Sequence, residues 1–402
     1  MIDDELNVWY EDQLIGYLWR DKQGIMSFKY DDDWNQFPLS ISLPLNKIPD
    51  SLIAHRFFAN LLPEGAARDR LCIRLRCVDT DFDILREIGS ECAGAISILP
   101  IEKQPNLNQS YKKLDNEVLI KIIETRGASI GLEDKPRLSL AGAQDKITVH
   151  LKKGTICFPI DQAPSTCILK FEVRDFKNVP LYEVYTTNLA QAIGLNTIDI
   201  KLKFLNDVSY TISKRYDRVL GDRISRIHQE DFCQALGLKE KYQRLDTPSF
   251  AQCYQLIIEH SSNPLIDAEQ LIKWQIFNLI SGNSDAHIKN ISFLYRENET
   301  RLAPFYDLVC TRAIEHIDET LALAIGNQKN PNQVTKKDLL EMASQCRVRP
   351  KRIFDIVRQM LSNIEENKDK VRDELESKCG EQSPLQRVDR IITQQIKQLK
   401  QI

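Results

Sequence analysis

Asn283-Ser284-Asp285-Ala286-His287-Ile288-Lys289-Asn290 decides how this chain is read. An aspartate followed, after four residues, by an asparagine is the spacing of a phosphoryl-transfer loop. The aspartate orients and deprotonates an attacking hydroxyl, and the asparagine holds a magnesium ion. Asp307, in Phe305-Tyr306-Asp307-Leu308, stands where such sites place their other magnesium ligand. Asp, Asn and Ser are also ordinary loop residues, because their side chains cap turns, so the surroundings carry the argument. Residues 271–280 read as a helix running into the loop, and residues 291–295 as a strand leaving it. Residues 296–300 read as a polar turn and 301–305 as a returning strand. A hairpin then carries the chain from the first acidic residue to the second, as a two-metal site requires.

The chain has 402 residues, 42% hydrophobic and 28% charged, an ordinary globular composition with room for two to three domains. A net charge of −3 gives no global nucleic-acid signature. The start, Met1-Ile2-Asp3-Asp4-Glu5, lacks the basic and apolar regions of a signal peptide. No apolar run reaches the length of a membrane span. The ten cysteines include no CxxC pair and are expected to be reduced thiols of a cytoplasmic protein.

Residues 6–10, 13–18 and 25–30 read as strands, the first two as a hairpin around Glu11-Asp12. Helical patterns follow at 51–62, 65–75 and 80–88, with Thr80 as an N-cap, and a strand closes at 93–100. Residues 100–110 read as a linker and 112–126 as a helix. Residues 137–170 are strand-rich, 181–193 form an amphipathic helix ending at Gly194, and strands follow at 198–205 and 209–213. From Asp231 the pattern is mainly helical. The expected domains are therefore 1–105, 106–232 and 233–402: a small N-terminal unit, a sheet-rich lobe and a helical lobe, the order of a bilobal kinase.

A kinase needs a loop over the phosphates and a lysine to pair with them. Leu138-Ser139-Leu140-Ala141-Gly142-Ala143-Gln144-Asp145-Lys146 precedes a strand, and its small residues let backbone N–H groups approach a phosphate. By itself it reads more readily as an ordinary tight turn. Lys170 ends an apolar strand, as a phosphate-pairing lysine or an edge-strand lysine, with Glu183 on the next helix as a candidate partner. Glu230, Asp231 and Phe232 lie where a hinge offers backbone groups to adenine. His287 has no second His or Cys at zinc-ligand spacing and suits a hydrogen bond to phosphate or loop backbone. Lys289 reads as a phosphoryl-neutralising or solvent-facing cation. Arg215-Tyr216-Asp217-Arg218 reads as a structural ion-pair cluster. Arg347-Val348-Arg349-Pro350-Lys351-Arg352 reads as a solvated helix start, with contact to DNA phosphates as the alternative.

Together these residues resemble the HipA family, the toxin kinases of bacterial HipA–HipB toxin–antitoxin modules. Phe58-Ala59-Asn60-Leu61-Leu62-Pro63-Glu64-Gly65 looks like that family's N-terminal signature, and Ser139 to Lys146 like its phosphate-covering loop. Gly282 to Asn290 looks like its catalytic loop, and Ala303-Pro304-Phe305-Tyr306-Asp307-Leu308 like its metal-binding segment. The resemblance implies an α+β, bilobal protein-kinase-like fold with an extra N-terminal α/β subdomain. It implies a serine/threonine protein kinase using ATP and Mg2+, with Asp285 as base, Asn290 and Asp307 as metal ligands and Lys170 as the phosphate-pairing lysine. Ala141, Gly142, Ala143, Gln144 and Lys146 would cover ATP, and His287, Lys289 and Tyr306 would complete the nucleotide site. Autophosphorylation is implied at Ser139, where roughly two negative charges beside a triphosphate would expel the covering loop. The implied partners are a HipB-like helix-turn-helix antitoxin, DNA reached through it, and a protein substrate such as an aminoacyl-tRNA synthetase. The alternative of a different class is a catalytically silent antitoxin-binding co-repressor of the same fold. A small-molecule phosphotransferase is a third reading.

Overall fold

The computed structural model describes residues 4–126, 144–173, 175–206, 208–245, 247–297 and 299–402. The chain packs as two compact units: Met1–Phe171 with Lys214–Lys239 and Leu294–Arg296, and Glu172–Ser213 with Glu240–Phe293 and Glu297–Ile402. These divisions differ from the sequence boundaries at 105 and 232. Linear reading assigns segments in order, whereas packing recruits 172–213 into the second unit.

In the first unit β1 (Glu5–Tyr10) and β2 (Gln13–Arg20) form an antiparallel hairpin. Glu11 turns it with φ 51°. β3 (Met26–Tyr30) pairs with β2. Three helices follow: α1 (Ser51–Ala59), α2 (Gly65–Leu75) and α3 (Asp81–Ile88). β4 (Ile96–Pro100) then returns to pair with β1, giving the order β3-β2-β1-β4. Asp50 and Thr80 accept the first free N–H groups of α1 and α3, the usual remedy for orphaned helix donors. Leu6, Val8, Ile15, Leu18, Phe28, Phe57 and Phe58 form the core between sheet and helices.

β5 (Ser110–Lys113), β6 (Lys146–Lys152), β7 (Thr155–Ile160) and β8 (Cys167–Phe171) form a second antiparallel array, ordered β5-β7-β6-β8. α4 (Asn116–Glu124) sits between β5 and β6 in sequence. β5 takes residues read from sequence as the end of a linker and the start of a helix. It is a largely exposed strand without apolar alternation, fixed by its pairing with β7.

The second unit begins with α5 (Val179–Ala192) and the hairpin of β9 (Ile200–Leu205) with β10 (Val208–Lys214). β11 (Arg218–Val219), β12 (Ser225–Arg226), β13 (His228–Asp231) and α6 (Phe232–Ala235) belong to the first unit. There the cluster foreseen around Arg215 closes over buried Glu91. Arg215 bonds Asp217 at 2.7 Å and Glu91 at 3.3 Å, and Arg218 reaches Glu91 at 3.4 Å. Burial alone would raise the Asp217 carboxyl. The Arg215 and Arg218 cations outweigh it and hold the group below the usual carboxylate range. The Phe58-to-Gly65 segment acquires a structural role as well: Asn60 donates to Leu238 O at 3.0 Å.

The remaining elements are α7 (Phe250–His260), α8 (Pro264–Ser281), β14 (Ser292–Arg296), β15 (Glu299–Leu302), α9 (Lys336–Gln345), α10 (Pro350–Cys379) and α11 (Leu385–Leu399). α8 packs against α7, α10 and α11. The basic segment at 347–352 is the start of α10, with Pro350 in its first turn and Arg352 paired with Glu269. Among the described residues no helix is long and apolar enough to cross a membrane.

Candidate active site

α8 ends because Gly282 turns left-handed at φ 75°. A Cβ there would lie 2.8 Å from Ile391 Cγ2, so the position has neither the backbone freedom nor the space for another residue. Asn283 then acts as a hub. Its Nδ2 donates to Asn278 Oδ1 at 2.9 Å and to Asp307 O at 3.3 Å, while its Oδ1 accepts the Asp285 N–H at 3.2 Å. Ser284 is pinned on both sides, its N–H to Thr311 Oγ1 at 2.7 Å and its hydroxyl to Glu319 O at 3.0 Å. Asp285 is left exposed at the tip.

A 3-10 turn at Ile288–Asn290 returns the chain. Asn290 donates through Nδ2 to Asp285 O at 3.1 Å, and its backbone N–H reaches His287 O at 2.9 Å. The Lys289 side chain is buried, and its carbonyl accepts the Tyr306 hydroxyl at 2.7 Å. Ser292 and Tyr306 share a hydroxyl contact at 2.9 Å, and Ala303 N–H donates to Ser292 O at 2.8 Å. Phe305 is gripped by residues 196 and 198 through its own N–H and C=O. The next residue but one, Asp307, adopts φ 55°. Left-handed backbone is uncommon outside glycine and concentrates at functional sites. Asp285, Asn290 and Asp307 thus belong to one hydrogen-bonded network.

His287 is buried, and its Nδ1 has no hydrogen-bond partner among the described residues. Burial holds its imidazole down to about 4, against the upward pull of Asp285, so the ring is neutral at neutral pH. Tyr242, which the sequence reading did not single out, donates to Asp285 Oδ1 at 2.6 Å. No compositional signal in Lys239-Glu240-Lys241-Tyr242-Gln243 points to that contact.

The donor chemistry fits magnesium. The Asp307 carboxylate and the Asn290 amide oxygen are hard ligands, and the Asn290 nitrogen is already committed to Asp285 O. Among the described residues no group of three or more His, Cys, Asp or Glu forms a cage. An ion held here would therefore take further ligands from phosphate or water, as magnesium commonly does.

In the first unit, Ser139, Ala141, Gly142 and Ala143 lie outside the described residues. Gln144 donates to Phe171 O at 2.8 Å. Lys146 opens β6 directly opposite Lys170 on β8, which gathers positive charge at one register position. Lys170 is buried. The residues read from sequence as a hinge carry structural duties. Asp231 caps α6, and its N–H donates to Gln234 Oε1 at 2.9 Å, so that N–H is not on offer to a ligand. Phe232 is core. Glu230 accepts from Ile41 N–H at 3.0 Å and from the Ser40 and Tyr295 hydroxyls. Burial pushes its carboxyl up to about 7, against the pull of those donors.

The family description "HipA-like C-terminal domain" matches residues 138–368, and "HipA N-terminal domain" matches residues 6–99. The chain belongs to the HipA family. A serine/threonine-protein kinase toxin HipA from Shewanella oneidensis is 31% identical over 325 residues, covering 76% of this chain and 74% of that protein. Y4mE of Sinorhizobium fredii, provisionally named a kinase, is 36% identical over 341 residues, covering 80% and 81%. The HipA fold is also that of a solved S. oneidensis complex of HipA, HipB and operator DNA. That match has a TM-score of 0.84 at 26% identity and covers 98% of this chain and 97% of the solved one. The α+β kinase-like architecture read from the sequence is therefore that of this HipA protein.

Proposed function

We propose that this HipA-family protein is an ATP- and magnesium-dependent serine/threonine protein kinase acting as the growth-arresting toxin of a toxin–antitoxin pair. One observation carries the reading: Asp285, Asn290 and Asp307 are tied into a single network through Asn283 and the Asn290 amide. Asp285 takes the proton of the acceptor hydroxyl, and Asn290 and Asp307 would hold magnesium, which neutralises charge on the phosphates. Lys170 and Lys146 are assigned to the phosphates, His287, Lys289 and Tyr306 to the loop that frames them, and the backbone around Glu230 and Phe232 to adenine. Gln144 anchors the far end of the covering loop.

Self-inactivation by phosphate on Ser139, a HipB-like helix-turn-helix partner, and an aminoacyl-tRNA synthetase as substrate complete the proposal. The kinase names and the HipA–HipB–DNA complex among the relatives support it. The test is growth arrest on expression, combined with mapping of phosphate after incubation with Mg·ATP. Arrest and Ser139 phosphate that both vanish in Asp285→Asn support the kinase. Arrest that persists in Asp285→Asn, or partner and DNA binding with no phosphate transfer, favours the silent co-repressor.

A further inference from the structure

Tyr242 presents its hydroxyl to Asp285. The 2.6 Å contact with Oδ1 is the length of a charge-assisted O–H bond to a carboxylate. An acceptor hydroxyl makes the same contact with a catalytic base before giving up its proton. The segment around Tyr242 is built rather than loose. The Lys241 carbonyl accepts Ile288 N–H at 3.3 Å, and Gln243 N–H donates to Ala322 O at 3.0 Å. Gln243 Oε1 accepts Ala324 N–H at 2.8 Å, and Lys329 Nζ donates to Gln243 O at 2.8 Å. Between these anchors the phenol ring stands edge-on to His287, centroids 5.2 Å apart. The Lys241 ammonium lies 5.3 Å from the ring centroid.

We infer that Tyr242 holds the acceptor station of this site: its hydroxyl stands in for the substrate hydroxyl at Asp285 Oδ1, keeps water from that oxygen, and is displaced by the incoming Ser or Thr. The inference rests on the kinase reading of Asp285. In the productive step the substrate O–H proton passes to Asp285 and the substrate oxygen bonds the γ-phosphorus. The bond from that phosphorus to the β–γ bridging oxygen breaks, and ADP leaves. Water in the station would undergo the same step and yield inorganic phosphate. Removing the phenol hydroxyl opens a polar site, beside a carboxylate, of the kind an ordered water fills. Tyr242 thereby decides which hydroxyl the base sees, as a positioning residue.

Tyr242→Phe keeps the ring against His287 and removes only the hydroxyl. ADP release without acceptor and phosphoryl transfer to protein are measured for the full chain, Tyr242→Phe and Asp285→Asn, with thermal midpoints to confirm folding. The expected result is a rise of about tenfold in acceptor-independent hydrolysis in Tyr242→Phe, below the roughly 10²–10⁴ that a positioned base contributes in full. The ratio of ADP formed to phosphate transferred rises with it, a readout that a purely structural role would leave unchanged. Hydrolysis equal to or below wild type, or phosphate found on Tyr242 itself, overturns the inference while Asp285-dependent turnover preserves the kinase reading. A wild type with no turnover that Asp285→Asn removes overturns both.

Discussion

The Asn290 amide nitrogen donates to the main-chain oxygen of Asp285 at 3.1 Å. The proposed metal ligand therefore also fixes the backbone that carries the proposed base. Asn290→Asp replaces the donor with a carboxylate facing a carbonyl oxygen, even though it adds a stronger metal ligand. The expected outcome is a fall in kcat of about 10²-fold, the scale of a misplaced catalytic group. A magnesium titration of the variant's rate checks it, because excess metal will not restore the rate.

Asp307 holds φ 55°. Asn tolerates that conformation, whereas Ala is strained there by roughly 1–2 kcal/mol. Asp307→Asn is expected to keep a near-wild-type thermal midpoint and Asp307→Ala to lower it. Both are expected to lose the magnesium dependence of nucleotide binding, read by calorimetric titration of an ATP analogue with and without Mg2+. Equal midpoints for the two variants would contradict the backbone argument.

Gly282→Ala combines a left-handed backbone with a Cβ 2.8 Å from Ile391 Cγ2 and 3.3 Å from Cys310 Sγ. The expected loss of stability is about 1–3 kcal/mol. It appears as a lower urea midpoint, together with reduced transfer, since the proposed catalytic loop starts at this turn.

Glu230 titrates near 7 in the fold because burial raises it from an ordinary value of 4.5. A raised carboxyl stabilises the folded state fully below about pH 4.5 and loses that contribution as pH climbs through about 7. His228 and His287, each lowered to about 4 by burial, tilt the curve the other way. The Glu230 effect is therefore isolated as a difference. The stability advantage of wild type over Glu230→Gln is expected to shrink from pH 5 to pH 8, measured as paired thermal midpoints. A pH-independent difference would contradict it.

Local pattern made much of this legible in the sequence. α2 occupies the 65–75 stretch its periodicity indicated, and Thr80 caps α3. The catalytic-loop spacing fell between a helix and a strand, as α8 and β14 show. Features made by distant partners left no such trace. β5 exists through its pairing with β7. Residues 172–213 join the second unit, where α5 packs against α10. Asn283 and Tyr242 act through bonds to residues 24 and 43 positions away. The Glu230 side chain, read as part of a hinge, is occupied by Ser40 and Ile41, 190 and 189 positions away. A single polar residue has no periodicity, so only the fold reveals its partner.

The most direct measurement is γ-phosphoryl transfer from Mg·ATP by the purified protein and by Asp285→Asn, with nucleotide affinity measured on both. The account predicts that wild type transfers phosphate and that Asp285→Asn binds Mg·ATP about as well but transfers it at least roughly 10²-fold more slowly, the minimum share of a positioned general base. Equal transfer by the two proteins, or none by wild type with nucleotide bound, would contradict it.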